Sequence, residues 1–309
     1  MTRHSASGVP ALANPDGNSA FAGMTEVCGN SFAEQSATLI LVDEMTFAHD
    51  HNRKAWDARA RKGECFARPA NDRDFQDAES AGAAETWISG EFAGKDILCL
   101  AAGGGRQSVL YAARGANVTV VDISPEMLAI DRQVAAERQL PVITVEASMD
   151  DLSTLGQDSF DYVIQPVSTC YVPDIRKVYQ QVARVIRAGG VYISQHKQPA
   201  SLQASTQASR EGYDLVQPYY RSGPLPPVVG SRHREEGTLE FLHRWEELLG
   251  GLCHSGFVIE DLSEPAHNDV TQPPGTFAHR SAYVPPYVRI RARRLPKSGA
   301  IGSIQIVGS

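Results

Sequence analysis

"ILCLAAGGGRQSVLYAARGANVTVVDIS", Ile97 to Ser124, is the stretch on which the fold turns. Ile97–Leu100 is a short apolar run of strand type, Gly103–Gly105 make a turn, Gln107–Arg114 predicts a helix closed by Gly115, and Val118–Val121 predicts a second strand ending on Asp122. Ser124 is a good N-cap. Pro125 takes the first helical position, and Glu126 sits beside the positive helix end. The result is one strand–helix–strand unit, which requires a parallel pair of strands.

The same rhythm continues downstream. Met127, Ile130 and Val134 repeat at helical spacing, Pro141 blocks continuation, and Val142–Val145 is a third strand. "SFDYVIQ", Ser159 to Gln165, is a fourth. Ile175, Val178, Tyr179, Val182, Val185 and Ile186 form one apolar helical stripe, ended by Gly189 and Gly190, and "VYIS" is the fifth strand. Residues 196–240 break the rhythm, and the prolines of "YYRSGPLPP", Tyr219 to Pro227, forbid a regular helix. Trp245, Leu248, Leu249 and Leu252 resume helical spacing up to a C-cap at Gly256. Phe257–Leu262 and Tyr287–Ala292 are the sixth and seventh strands. No helical segment separates them, so the seventh should run antiparallel.

The expected fold is α/β: a Rossmann-like seven-stranded sheet, mostly parallel with an antiparallel last strand and helices on both faces. It occupies residues 46–309, with a lid segment at 196–243 and a site-facing loop at 263–286. Residues 1–36, rich in Ala, Gly, Ser and Asn, read as a flexible arm. "ATLILV", Ala37 to Val42, is an apolar run suited to docking on the core or on a second copy. The arm as a whole spans 1–45 and offers a route to a homodimer. A helix carrying Trp56 follows.

Composition narrows the function. Of 309 residues, 42% are hydrophobic and 21% charged, a soluble globular balance, and the net charge of −7 argues against general affinity for nucleic acid. Arg289, Arg291, Arg293 and Arg294 read as the solvated face of a late strand. Cys28, Cys65, Cys99, Cys170 and Cys253 form no CxxC pair and fit a reducing, cytoplasmic setting. Cys170 lies near the suspected site, but nothing near it in the sequence marks a base to activate a thiol. No apolar run approaches a membrane span, and Arg3 and His4 precede no apolar segment of a secretory signal. His49 and His51 lack a third ligand at useful spacing, so no metal is expected.

"GGGRQS" nearly fits GxGxxG, with Ser108 at the third position, and this admits a dinucleotide reading with Asp122 on a ribose. Four features in order point elsewhere: the turn Gly103–Gly105, Asp122 closing the second strand, "SFDYVIQ", and "ARVIRAGG" before the fifth strand. Over residues 95–293 the chain resembles the class I S-adenosylmethionine-dependent methyltransferases. The resemblance implies that Ala102, Gly103 and Gly105 lie against the amino acid moiety of S-adenosylmethionine. It implies further that Asp122, followed by Ile123, accepts from the ribose hydroxyls. Ser148 and Met149 would border the adenine, Asp150 would reach its amino group, and Gln165 would face the methionine part. Two departures stand out: Cys99 where the family usually has an acid, and Ala101 where it often has glycine. Asp122 also suits a plain strand-end cap, and Met149 a core filler.

The acceptor should sit outside the carboxyl ends of the strands. The segments that reach there offer His196, Tyr219, Tyr220, Arg221, His233, Arg234, Glu235, His243, His279 and Arg280. This two-signed set suits a small zwitterionic or carboxylate-bearing molecule, gripped by Arg221, Arg234 or Arg280. His243 is the first choice for a general base, with a surface or helix-start role as the plain alternative; Tyr219 and His279 are further candidate site residues, and a solvated loop is the plain reading of His279 and Arg280. The N-terminal arm and "REEGTLEFLHRWEELLGGLC" are also similar to bacterial methionine S-methyltransferases. An N- or O-methyltransferase of secondary metabolism, an NAD-dependent oxidoreductase and a non-catalytic cofactor-binding protein remain the other readings.

Overall fold

The computed structural model describes residues 30–76, 87 and 92–296, with side chains from residue 45 onward. The expected arm falls mostly outside these residues. The chain divides into two units, Met1–Val42 and Asp43–Ser309, and the whole sheet belongs to the second. The helix α1, Asn30–Arg61, contains both the "ATLILV" run and Trp56.

β1 (Asp96–Leu100), α3 (Gln107–Ala112), β2 (Asn117–Asp122), α4 (Pro125–Arg138) and β3 (Val142–Glu146) realise the opening unit, after a short α2 (Asp72–Gln76). Ser124 caps α4 by accepting from the Met127 amide at 3.1 Å, and Gln139 ends it in the left-handed region. β4 (Phe160–Gln165), α5 (Ile175–Val185) and β5 (Ile186–Lys197) come next. The helix stops one residue earlier than its apolar stripe implies. Ile186 already pairs with Phe160, and its side chain is buried from the strand.

The irregular region contains a short α6 (Pro199–Gln203). A π-turn over Glu246–Gly250 then leads into α7 (Gly251–His254), β6 (Phe257–Ser263), α8 (Phe277–Ser281) and β7 (Tyr287–Arg294). The sheet order is β3-β2-β1-β4-β5-β7-β6, with β7 antiparallel to both neighbours. One core packs α5, the π-turn and α7 against one face of the sheet, through Val178, Tyr179, Val182, Leu248 and Leu252. A second packs α3 and α4 on the other face, through Val109, Leu110, Leu128 and Val134. The carboxyl ends of β1, β2, β4 and β5 are left facing a crevice, where chain connections open outward. Among the described residues no helix is long and apolar enough to cross a membrane.

Candidate functional site

The turn after β1 is braced by carboxylates. Asp122 accepts from the Gly103 amide at 2.9 Å through one oxygen and from the Ser124 amide at 2.9 Å through the other. Burial pushes its pKa up to about 6; the two amides pull the other way, and nearby Asp131 adds to the rise. Asp131, fully buried on α4, accepts from the Gly104 amide at 2.8 Å and from the Ser108 hydroxyl, and burial likewise raises it to about 6. Sequence reasoning missed Asp131. The signal was an acid on the apolar stripe of α4, one turn after Met127. Asp57 of α1 accepts from the Ser124 hydroxyl at 2.6 Å and ties that helix to the same place.

Close approach explains two of the glycines. A Cβ on Gly103 would lie 2.8 Å from Met127 Cβ and 3.0 Å from Asp122 Oδ2. One on Gly104, at φ +113, would lie 2.8 Å from the Phe66 carbonyl oxygen, so Gly104 lets the Cys65–Ala67 turn close over the site. Ala101 stands at φ 48, in the left-handed region where the family prefers glycine.

A cavity of about 510 Å³ opens above this turn. Ala102, Gly103, Asp122, Ile123, Ser148 and Met149, which the resemblance sets against the cofactor, line it, with His49, Asn52 and Trp56 of α1 and Cys65, Phe66 and Arg68 as further wall. Gly105, Asp150 and Gln165 are not among its lining residues. Gly105 backs onto Ile130 and Val134. Asp150 pairs with His49 Nε2 at 3.1 Å and takes the Ser148 hydroxyl. Burial alone would raise the Asp150 carboxyl, but the His49 bond and charge, with Ser148, hold it below its usual value. His51 meets the Gly237 carbonyl instead, so the two histidines of the HxH pair serve different contacts.

A second cavity, about 300 Å³, adjoins the first and shares Trp56, Phe66, Gln107, Pro166, Val167 and Tyr171 with it. Gln165 belongs here, with Ser194 and Gln195 of β5, Tyr287 and Arg289 of β7, and Glu235. Gln165 is fixed by donating to Ser168 Oγ at 2.9 Å and accepting from the Tyr192 hydroxyl. Trp56 and Tyr171 meet edge to face, ring centroids 5.5 Å apart, at the junction of the cavities.

The acceptor residues expected from sequence are placed differently. Arg280 is 1% exposed and donates to the Ser201, Ala204 and Ser205 carbonyls and to Ser201 Oγ. Arg234 is tied to Glu240 and to the Pro226 carbonyl. Arg221 donates to the Pro224 carbonyl and Gln217 Oε1. These guanidiniums satisfy backbone that the irregular region leaves without a regular ladder. His243 is buried, its Nε2 at 2.9 Å from the Thr169 carbonyl, and burial lowers its pKa; it lines neither cavity. His196, pushed down to about 3 by burial, sits between Thr169 and Ser194. Tyr219 accepts from the Trp245 amide, and His279 Nδ1 bonds the Tyr213 hydroxyl at 2.9 Å. Burial drives the Cys170 thiol far up, which removes its nucleophilicity. Of 196–243 only Glu235 lines these two cavities, and of 263–286 nothing does. The cover over the first cavity is α1 and the Cys65–Arg68 stretch. Arg289, read from sequence as a solvated strand residue, faces the second cavity instead.

Comparison with known proteins agrees with the geometry. A family model for a methyltransferase domain matches residues 98–194. The uncharacterized methyltransferase YbaJ of Bacillus subtilis (strain 168) is 31% identical over 228 residues, 69% of this chain and 89% of that protein. A ubiquinone biosynthesis O-methyltransferase of Aeromonas salmonicida is 34% identical over 112 residues, which is 47% of that protein's length. The crystal structure of an S-adenosylmethionine-dependent methyltransferase from Mesorhizobium loti superposes with a TM-score of 0.56 at 25% identity, covering 71% of this chain and 98% of that one. The chain therefore belongs to the class I S-adenosylmethionine-dependent methyltransferases, and it is an enzyme with S-adenosylmethionine as cofactor. The oxidoreductase and non-catalytic readings of the glycine turn fall away.

Proposed function

We propose that the enzyme methylates a small polar, carboxylate-bearing metabolite held in the second cavity, with the cofactor in the first. The observation that carries this is the pair of adjoining cavities, one walled by the glycine turn and Asp122, the other containing Arg289. The turn fits the cofactor because Gly103 and Gly104 admit no side chain, and because each Asp122 oxygen keeps acceptor capacity beyond its one amide bond. Asp122 takes the ribose hydroxyls, Ser148 and Met149 the adenine, and Ala102 and Gly103 the amino acid end.

The bound cofactor supplies an electrophilic methyl group together with its own leaving group. The chain has left to it the alignment of the reactants and the exclusion of water. Trp56, Phe66 and Tyr171 do so at the junction, and their ring faces favour a cationic reactant or product. Arg289 grips the carboxylate of the acceptor.

Among the described residues, no histidine lines the second cavity. Burial would raise Glu235, but the Lys197 ammonium prevails and holds it low, so it is a weak base. Both facts favour an acceptor atom that sheds no proton. A thioether sulfur, as in methionine, meets that demand. An N- or O-methyl acceptor is the alternative if a base is recruited.

Titration calorimetry with S-adenosylhomocysteine, followed by mass analysis of a metabolite panel incubated with S-adenosylmethionine, tests the proposal. Binding that Asp122→Ala weakens, with methylation confined to carboxylates, is the expected result. Equal turnover of uncharged acceptors would overturn the acceptor class.

A further inference from the structure

The second cavity holds one acid and one base. Of its lining residues, Glu235 and Arg289 alone carry full charge. They do not pair with each other, and among the described residues Arg289 has no ion pair at all. Its guanidinium donates through Nε to Gln195 Oε1 at 2.9 Å and is otherwise uncommitted. Burial lowers its pKa without any anion to compensate. Desolvation of this kind is costly unless something negative occupies the space beside it.

Glu235 is the opposite pole. The Lys197 ammonium and the Tyr171 hydroxyl, the latter at 2.8 Å, both bond its Oε2. An ionised carboxylate accepts more bonds than these, so the group keeps its capacity for a donor arriving from the cavity. Lys197 is also bonded to Glu240, which Arg234 clamps from its other side. The buried network thus fixes the carboxylate in place and keeps it charged.

The third observation is independent of both charges. Gln107 opens α3 and lines both cavities, and its side-chain oxygen Oε1 is buried with no hydrogen-bond partner. A buried acceptor left unpaired is costly, and it is accounted for when a ligand brings a donor.

Resting on the reading of this cavity as the acceptor site, we infer that the acceptor is an amino-acid-like zwitterion. Its carboxylate meets Arg289, and its ammonium is claimed by Glu235 and the Gln107 carbonyl. An ammonium has three donors and no acceptor, which suits two acceptor groups lining one cavity. The two poles set orientation: with both ends of the zwitterion held, the remaining side chain is what lies free to point past Trp56 and Tyr171 toward the cofactor cavity. These residues also select against close analogues. A simple carboxylic acid leaves Glu235 and Gln107 unanswered, and an amine without a carboxylate leaves Arg289 unanswered. Rejection by unpaired buried groups is a strong form of discrimination.

The test uses the full-length chain saturated with S-adenosylhomocysteine. The twenty protein amino acids are titrated as binding probes and then screened for methylation with S-adenosylmethionine. The best of them is compared with its N-acetyl derivative and its methyl ester. The expected result is a loss of about tenfold or more for each derivative. Gln107→Leu should abolish most of the discrimination against the N-acetyl form, and Arg289→Gln most of that against the ester. Arg289→Gln, at a residue that lines the second cavity and not the first, should change affinity for S-adenosylhomocysteine by less than about twofold. Glu235→Gln should act like Gln107→Leu, and the latter keeps the test decisive if loss of the buried carboxylate impairs folding.

Equal use of the N-acetyl derivative and the free amino acid would overturn the zwitterion while leaving the carboxylate acceptor standing. Equal use of the ester would overturn both. Finding no amino acid that binds or is methylated would also overturn the inference, and a carboxylic acid lacking an amine would then be the acceptor to seek. Failure of S-adenosylhomocysteine to bind at all would instead count against the cofactor assignment to the first cavity.

Discussion

The two regions beside the crevice use buried charge in opposite ways. Around the glycine turn, Asp122 and Asp131 accept from backbone amides and a hydroxyl, and among the described residues no basic side chain is bonded to either. Around the second cavity, Lys197, Arg234, Glu235 and Glu240 are bonded to one another. The first arrangement leaves the Asp122 carboxylate, which lines the first cavity, open toward a ligand rich in donors, while Asp131 is spent inside the fold. The second uses up its charges to pin an irregular segment, and of the four only Glu235 lines the second cavity. Carboxylates that hold a turn and carboxylates that hold a loop are thus distinguishable by what they accept from.

The sharpest break between the regions should come from Lys197→Met. That change strips two buried carboxylates of their shared cation, and removal of one partner of a buried ion pair costs about 3–5 kcal/mol. Denaturant unfolding should show the loss. If stability changes by less than about 1 kcal/mol, the network is not what holds the 196–243 segment.

Next in size is Asp122→Ala. Loss of hydrogen bonds to a charged group should weaken S-adenosylhomocysteine binding by about 1.5–3 kcal/mol. Calorimetry reads this directly. The same variant frees the Gly103 and Ser124 amides, so some loss of stability should accompany it. Unchanged affinity would place the ribose elsewhere.

The pH dependence comes from the same carboxyl. Asp122 titrates near 6 in the folded chain because it is buried, against 3.8 unperturbed. Its ionised form is the better acceptor for hydroxyls. Affinity for S-adenosylhomocysteine should therefore be flat above about pH 7 and fall below 6, by up to roughly tenfold per pH unit. Asp122→Asn should remove that limb. Stability moves the other way. Asp122 and Asp131 both hold their protons to higher pH when folded, so their contribution is complete below about 4 and is lost as the pH rises to 6. A binding curve with no inflection near 6 would show that Asp122 is not the ribose partner.

How much of this was legible in the chain differs sharply between the two regions. The turn, Asp122, Ser148 and Met149 succeed one another within one stretch of strands and helices, each with its own local signal. The second cavity is assembled from Trp56, Gln107, Gln165, Glu235 and Arg289, which come from five separate parts of the chain. No spacing rule brings these together. The arginines that looked available, Arg234 and Arg280, satisfy backbone carbonyls of an irregular segment, and that demand arises only once its path is known. Arg289 alternates with buried Val288 and Ile290, so a strand pattern alone assigns it to solvent. What fills the space above that face is decided by tertiary packing.

The smallest expected effect belongs to the departure at Ala101. At φ 48 its methyl group suffers the left-handed clash, worth roughly 1–2 kcal/mol for a residue other than glycine. Glycine relieves that strain but adds freedom to the unfolded chain, which costs about 0.4–1 kcal/mol. Ala101→Gly should therefore stabilise the protein by roughly half a kcal/mol, a rise in melting temperature of about 1–2 °C for a domain of this size. Cofactor affinity should rise little, because the turn is already held by Asp122 and Asp131. Thermal unfolding with and without S-adenosylhomocysteine separates the two contributions. A destabilisation of more than about 1 kcal/mol would mean that the Ala101 methyl, which packs at the edge of the core beneath β1, contributes more by contact than it loses by strain.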